Sequence, residues 1–148
     1  MNSARAQLRA RAHCGPRAVP AGTPACYERR VSDPFDEALL RGARLFDRGE
    51  FFEAHEAWEE RWLVETDATT RRFFQGLIQV AAGFHKLVAM RDPESASRLL
   101  ARGLEKLDGC PAGVAQASIE AFREGVRAFA GELGAGRTGT QAIPKLGV

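Results

Sequence analysis

At 148 residues, 45% hydrophobic and 27% charged, the chain has the size and balance of one globular domain, and no apolar run approaches the length that crosses a bilayer. Its net charge of +2 is uneven: residues 1–30 hold six arginines against one acid, a local +5 that leaves −3 for the remainder and excludes the basic footprint of a nucleic-acid-binding core. Cys14, Cys26 and Cys110 have neither CxxC spacing nor an even count, which argues against a disulfide framework or zinc knuckle and for a reducing cytoplasm.

Residues 1–33 read as a disordered extension. They are rich in Ala, Arg, Pro and Gly, are interrupted by Pro16, Pro20 and Pro24, and offer few large aliphatics to order them. The arginine-rich composition suits a loose extension, a transit peptide, or a segment that binds RNA or acidic lipid, but it lacks the apolar core of a secretory signal. Order is expected from Ser32-Asp33-Pro34, a capping residue followed by proline at a first helical position. A first helix then runs from 34 to about 48, with Phe35, Leu39, Gly42, Leu45 and Phe46 at three- and four-residue spacing. Gly49 is placed to end it in a left-handed conformation.

A second helix follows from about Glu50 to Glu65, its outer face carrying Glu53, Glu56 and Glu60. At about 100° per residue, with His55 at zero, Phe51 falls at about −40°, Trp58 at about −60°, Trp62 at about −20° and Phe52 at about +60°. His55 is thus expected at the centre of an aromatic stripe, with Glu59 one turn on at about +40° and inside the same arc. After Thr66-Asp67, a third helix spans about 68–90, with Phe73, Leu77, Val80, Ala81, Phe84 and Val88 as its core stripe. Gly76 and Gly83 on its flank leave a smooth strip for close approach of another helix. A fourth helix, about Pro93 to Leu107, follows the Asp92-Pro93 break and is stopped by Gly109-Cys110-Pro111. A fifth, about 112–133, has weak first turns, and residues 134–148 are expected as a flexible glycine-rich tail. No segment alternates as a strand, so the expected fold is all-α, a compact antiparallel bundle of about five helices over residues 34–133.

Two resemblances follow from these residues. Gly42, Gly49, Phe51, Ala54 and Trp58 fall where a tetratricopeptide repeat places its small and aromatic packing positions, so the segment from Phe35 to Glu65 resembles one such helical hairpin. Fewer than three repeats make a marginal solenoid, although a repeat-like scaffold holding a peptide in a groove stays open as a reading. The run G-E-F-F-E-A-H-E-A-W-E-E-R-W, followed by F-F-Q-G-L-I-Q-V-A-A-G-F-H-K, resembles the domain of unknown function 309 family of small helical prokaryotic proteins. That resemblance implies a compact helical bundle and no established activity.

The residues that could carry chemistry lie on the second and third helices. His55 and Glu59, four apart, resemble half of an H-E-x-x-H metalloprotease helix, but glutamate stands where that motif needs a second histidine. His55, Glu56, Glu59 and His85 form a candidate ligand set for a divalent metal, and with it a metal-dependent hydrolase. Acid–base catalysis by the His–Glu pair is a further reading, and a structural polar network fixing helix register is the plain one. Gln75 and Gln79 either lie on a solvated face with Lys86 or line a pocket with His55 and Glu59. Trp58 and Trp62 are expected to anchor the core or to border the same pocket. No G-x-S-x-G elbow, phosphate-binding glycine loop or cysteine accompanies the motif, so enzyme activity stays open. The combined expectation is a small binding or interaction module built on a buried His/Glu pair, with His55, Glu59, Trp58, Trp62, Gln75 and Gln79 as its binding residues. Its partner would be a protein or small molecule, with neither nucleic acid nor membrane as partner and with self-association compatible.

Overall fold

Local signals in the sequence account for most of the helix boundaries. A computed structural model describes residues 34–108, 116–137 and 141–147 of the chain. Helix α1 spans Pro34–Asp47 and stops at Gly49, whose φ of +83° places it in the left-handed region that glycine tolerates best. The amide of Glu50 then returns to the Leu45 carbonyl at 3.0 Å, closing the turn. Helix α2 spans Phe51–Val64. Helix α3, Ala68–Val88, is capped by Asp67, whose carboxylate accepts from the Thr70 amide at 2.7 Å. Helix α4, Pro93–Leu107, is capped likewise by Asp92, which accepts from the Ser95 amide at 3.0 Å, with Pro93 in its first turn. Helix α5 spans Gln116–Gly134. The expected Ser32-Asp33 start, the Gly109-Cys110-Pro111 stop, the first turns of the fifth helix and the arginine-rich extension lie outside the described residues.

The five helices form an antiparallel bundle in which each packs on its neighbour in the chain, and no strand occurs among the described residues. Antiparallel order is visible in the cross-helix partners. Arg41 meets Glu60 between α1 and α2, Phe52 meets His85 between α2 and α3, and Arg72 reaches the Glu105 carbonyl between α3 and α4. Among the described residues no helix is long and apolar enough to cross a membrane.

The smooth strip on α3 brings α4 into close contact. A Cβ at Gly76 would lie 2.8 Å from Leu107 and 3.1 Å from the Gly103 carbonyl; one at Gly103 would lie 2.6 Å from Val80. The backbones therefore approach more closely than alanines at these positions would allow. On the other side of α3, Phe46 of α1 stands at the centre of an aromatic cluster with Phe51, Trp58, Phe84 and Phe122. Ring centroids lie between 5.0 and 6.1 Å from Phe46, so α1, α2, α3 and α5 share one core.

The α1–α2 hairpin is locked by its smallest residue and one of its largest. Trp58 is fully buried, and a Cβ on Gly42 would fall 2.1 Å from its indole nitrogen. That nitrogen donates to the Leu39 carbonyl at 3.4 Å. This glycine–tryptophan contact is the packing that the tetratricopeptide-like spacing anticipates, within a compact bundle rather than a solenoid.

The C-terminal segment departs from the expected flexible tail. Residues 141–147 fold back over α5 to the end of α1, where Leu146 enters the core. The Asp47 carboxylate accepts from the Leu146 and Gly147 amides at 2.7 and 3.0 Å. The cause is a contact between residues at opposite ends of the described chain, which local glycine content does not register.

Candidate functional site

The face that α2 turns inward differs from the aromatic arc expected of it. Its buried residues are Phe51, Ala54, Ala57 and Trp58. Their mean direction lies about 90° from His55 at the pitch of an α-helix. Large aromatics dominate a sequence reading, whereas the two alanines let neighbouring helices come close and so turn the helix toward them. Phe52 and Leu63 are left exposed in consequence. His55 sits on the flank of the buried face.

The His55–Glu59 pair is correspondingly not a buried one. The two side chains are 27% and 44% exposed, and His55 Nδ1 stands 3.9 Å from Glu59 Oε2, beyond hydrogen-bond range. Nδ1 itself is shielded and has no hydrogen-bond partner. Phe52, 48% exposed, lies between two imidazoles: its ring stacks on His55 at 6.3 Å and 11°, and meets His85 of α3 at 5.5 Å. The seam between α2 and α3 thus presents Phe52, His55, Glu59 and His85 together.

The other candidates are placed elsewhere. Glu56 lies across α2, in a groove of about 520 Å³ between α1 and α2 whose walls are Arg41, Arg44 and Arg48 on one side and Glu53, Glu56 and Glu60 on the other. Among the described residues no group of three or more His, Cys, Asp and Glu side chains is arranged to hold a metal ion, so His55, Glu56, Glu59 and His85 do not converge as one ligand set. Gln79 precedes His85 by six residues and so points about 120° away around α3. Its Oε1 is shielded and without a hydrogen-bond partner, and no hydrogen bond among the described residues links Gln75 or Gln79 to His55 or Glu59.

The tryptophans divide. Trp58 is inside the core, and its fully buried ring is closed to a ligand. Trp62 is half-buried beneath the Arg71 guanidinium, which lies 4.4 Å above its ring as a cation–π lid. Near this lid, the Glu65 carboxylate is buried and fully engaged: Arg61 pairs with it at 2.5 Å, and the Thr66 and Asp67 amides donate to it at 2.8 Å each. Glu65 therefore fixes the α2–α3 turn rather than doing chemistry.

Sequence reasoning named His55, Glu59 and His85 but did not single out Phe52 as the ring that joins them. The signal available was its position four residues before Glu56, one turn away on the outer side of α2, which the apolar arc obscured. It also passed over Asp47 and Leu146, which are separated by 99 positions.

An uncharacterized protein of Aquifex aeolicus (strain VF5) is 27% identical over 93 residues, covering 61% of this chain. The chain spans 28% of the length of that relative. Residues 39–99, from the middle of α1 into α4, match the family described as "Domain of unknown function (DUF309)". Both motif runs, with the α2–α3 seam they build, fall inside that match, so over residues 39–99 the chain is similar to the DUF309 family.

Proposed function

We propose that the chain is a small cytoplasmic binding module whose contact surface is the α2–α3 seam of Phe52, His55, Glu59 and His85. One observation carries this reading: a half-exposed phenylalanine lies against two imidazoles, beside a shielded ring nitrogen without a hydrogen-bond partner and a carboxylate 3.9 Å away. The ring offers apolar area, and the imidazole and carboxylate offer directional partners, the combination from which recognition surfaces are built. The matched segment makes up only 28% of the Aquifex aeolicus relative, which supports a recognition part that works within or beside larger chains. The cytoplasmic assignment rests on the cysteine spacing.

The test compares affinity capture by the wild-type chain with capture by Phe52→Ala and His55→Ala, using Arg98→Ala on the exposed face of α4 as control. A protein or small molecule retained by the wild type and the control should lose at least about tenfold in affinity to each seam variant, as an interface anchor would. Thermal stability of His55→Ala should fall by less than about 1 kcal/mol, since no hydrogen bond is lost. Bound species that ignore both seam substitutions refute the reading.

A second reading, a divalent-metal site or metal-dependent hydrolase, has the unpartnered Nδ1 beside Glu59 in its favour. It requires His85 to move toward this pair, since the three side chains do not form a ligand group as they stand. Elemental analysis of untagged protein decides it: one metal per chain, lost in His55→Ala, supports it, and its absence together with no thermal shift on adding Zn²⁺, Mn²⁺ or Fe²⁺ removes it.

A further inference from the structure

The groove between the end of α1 and the outer side of α5 has four separate contacts with the extended segment that lies in it. Leu146 is 2% exposed and belongs to the core. Both oxygens of Asp47 accept backbone amides, those of Leu146 and Gly147. Pro144 lies on Gly125, where a Cβ would come within 2.7 Å of the proline ring. Ile143 shares an apolar cleft of about 270 Å³ with Leu87, Phe129 and Leu133, and Glu132 and Arg137 stand at the same cleft.

Asp47 is the last residue of α1, where a carboxylate faces the negative end of the helix dipole. Two amide donors from outside the helix offset that unfavourable position. An apolar socket, a carboxylate whose two oxygens accept backbone amides and small-residue access for a proline are together the chemistry that reads a short extended peptide. None of the four contacts depends on the covalent connection between the segment and α5. That helix completes its hydrogen bonding at its own end, where the Ala135 amide returns to the Gly131 carbonyl at 3.1 Å and the Gly136 amide to the Leu133 carbonyl at 3.0 Å. The segment therefore leaves its groove without unwinding a helix.

We propose that this groove is a peptide-docking site, and that the partner it fits is the same C-terminal segment of a second copy of the chain. Exchange of identical segments replaces every contact with its equivalent, the least demanding route to association between copies. The attached segment competes at an effective concentration of about a millimolar, so it prevails in dilute solution and yields when it is disabled or when the protein is concentrated. This inference is independent of the α2–α3 seam.

The test uses full-length chains and a synthetic octapeptide of residues 141–148, Q-A-I-P-K-L-G-V. In the Leu146→Asp chain, whose own segment cannot enter the socket, the peptide should move the amide resonances of Asp47, Gly125 and Phe129 saturably. It should bind this chain at least about tenfold more tightly than the wild type, where the attached segment competes. Adding Asp47→Ala to that chain should weaken peptide binding by about tenfold or more, the loss expected of two charge-assisted hydrogen bonds. Mixing the Leu146→Asp chain with the Asp47→Ala chain, one supplying the intact groove and the other the intact segment, should give a heterodimer by analytical ultracentrifugation at high concentration. Should Leu146→Asp prove unfolded by circular dichroism, Leu146→Ala carries the same comparisons. Unmoved resonances at millimolar peptide, or binding indifferent to Asp47→Ala, overturn the docking site; peptide binding with mixed chains that stay monomeric overturns the second copy as its partner.

Discussion

Replacing Gly42 with alanine should destabilise the protein, against the usual direction of a glycine-to-alanine change inside a helix. In open space the substitution stabilises by about 1 kcal/mol, because glycine gives up more backbone freedom on folding. Here the added methyl would lie 2.1 Å from Nε1 of Trp58, 2.4 Å from Cε2 and 2.5 Å from Cδ1. The indole is rigid and fully buried, with Phe46 at 6.1 Å on one side, so it cannot swing away without moving the core. Overpacking of this kind costs roughly 1–3 kcal/mol. Displacing the indole also removes its bond to the Leu39 carbonyl, worth about 1 kcal/mol. After the propensity gain, a net loss of roughly 1–3 kcal/mol remains, a fall in Tm on the order of 5–10 °C for a domain of this size. Urea and thermal unfolding followed by circular dichroism measure it. Trp58→Phe in the same background should recover part of the loss, since it removes the indole atoms that clash. A Gly42→Ala protein as stable as the wild type, or more so, would refute the claim that this contact locks the hairpin.

Further outcomes follow from the turns. Glu65→Ala should cost about 3 kcal/mol by leaving Arg61 and two turn amides without their acceptor, and Glu65→Gln should cost less; urea unfolding separates them. The capping amides of Thr70 and Ser95 hold the Asp67 and Asp92 carboxyls below the usual carboxylate range. A depressed folded-state pKa contributes stability that is present above the unfolded value of about 4 and is lost as pH falls through the folded value. The Asp67→Asn and Asp92→Asn proteins should therefore show a shallower loss of Tm between about pH 4 and pH 2 than the wild type. An unchanged slope would show that these caps are not what acid removes.

The sequence by itself determined the helices. Gly49, Asp67 and the Asp92-Pro93 pair act on the backbone within a few residues, so their effect is readable locally, and α4 runs from Pro93 to Leu107 as its spacing implied. The glycine strip on α3 was legible for the same reason: small residues seven apart leave room whatever comes to fill it. The existence of His55, Glu59 and His85 as a group worth noting was also legible, through polar residues placed next to aromatics. Only the tertiary structure decided how α2 is turned. Periodicity weighs large side chains most, whereas close helix packing turned Ala54 and Ala57 inward and left Phe52 outside between the two histidines. It also decided that Trp58 is closed to ligands while Trp62 lies under Arg71, since covering a ring depends on residues from another helix. The attachment of Leu146 to Asp47 rests on a pairing across 99 positions, and no local pattern records a partner that distant.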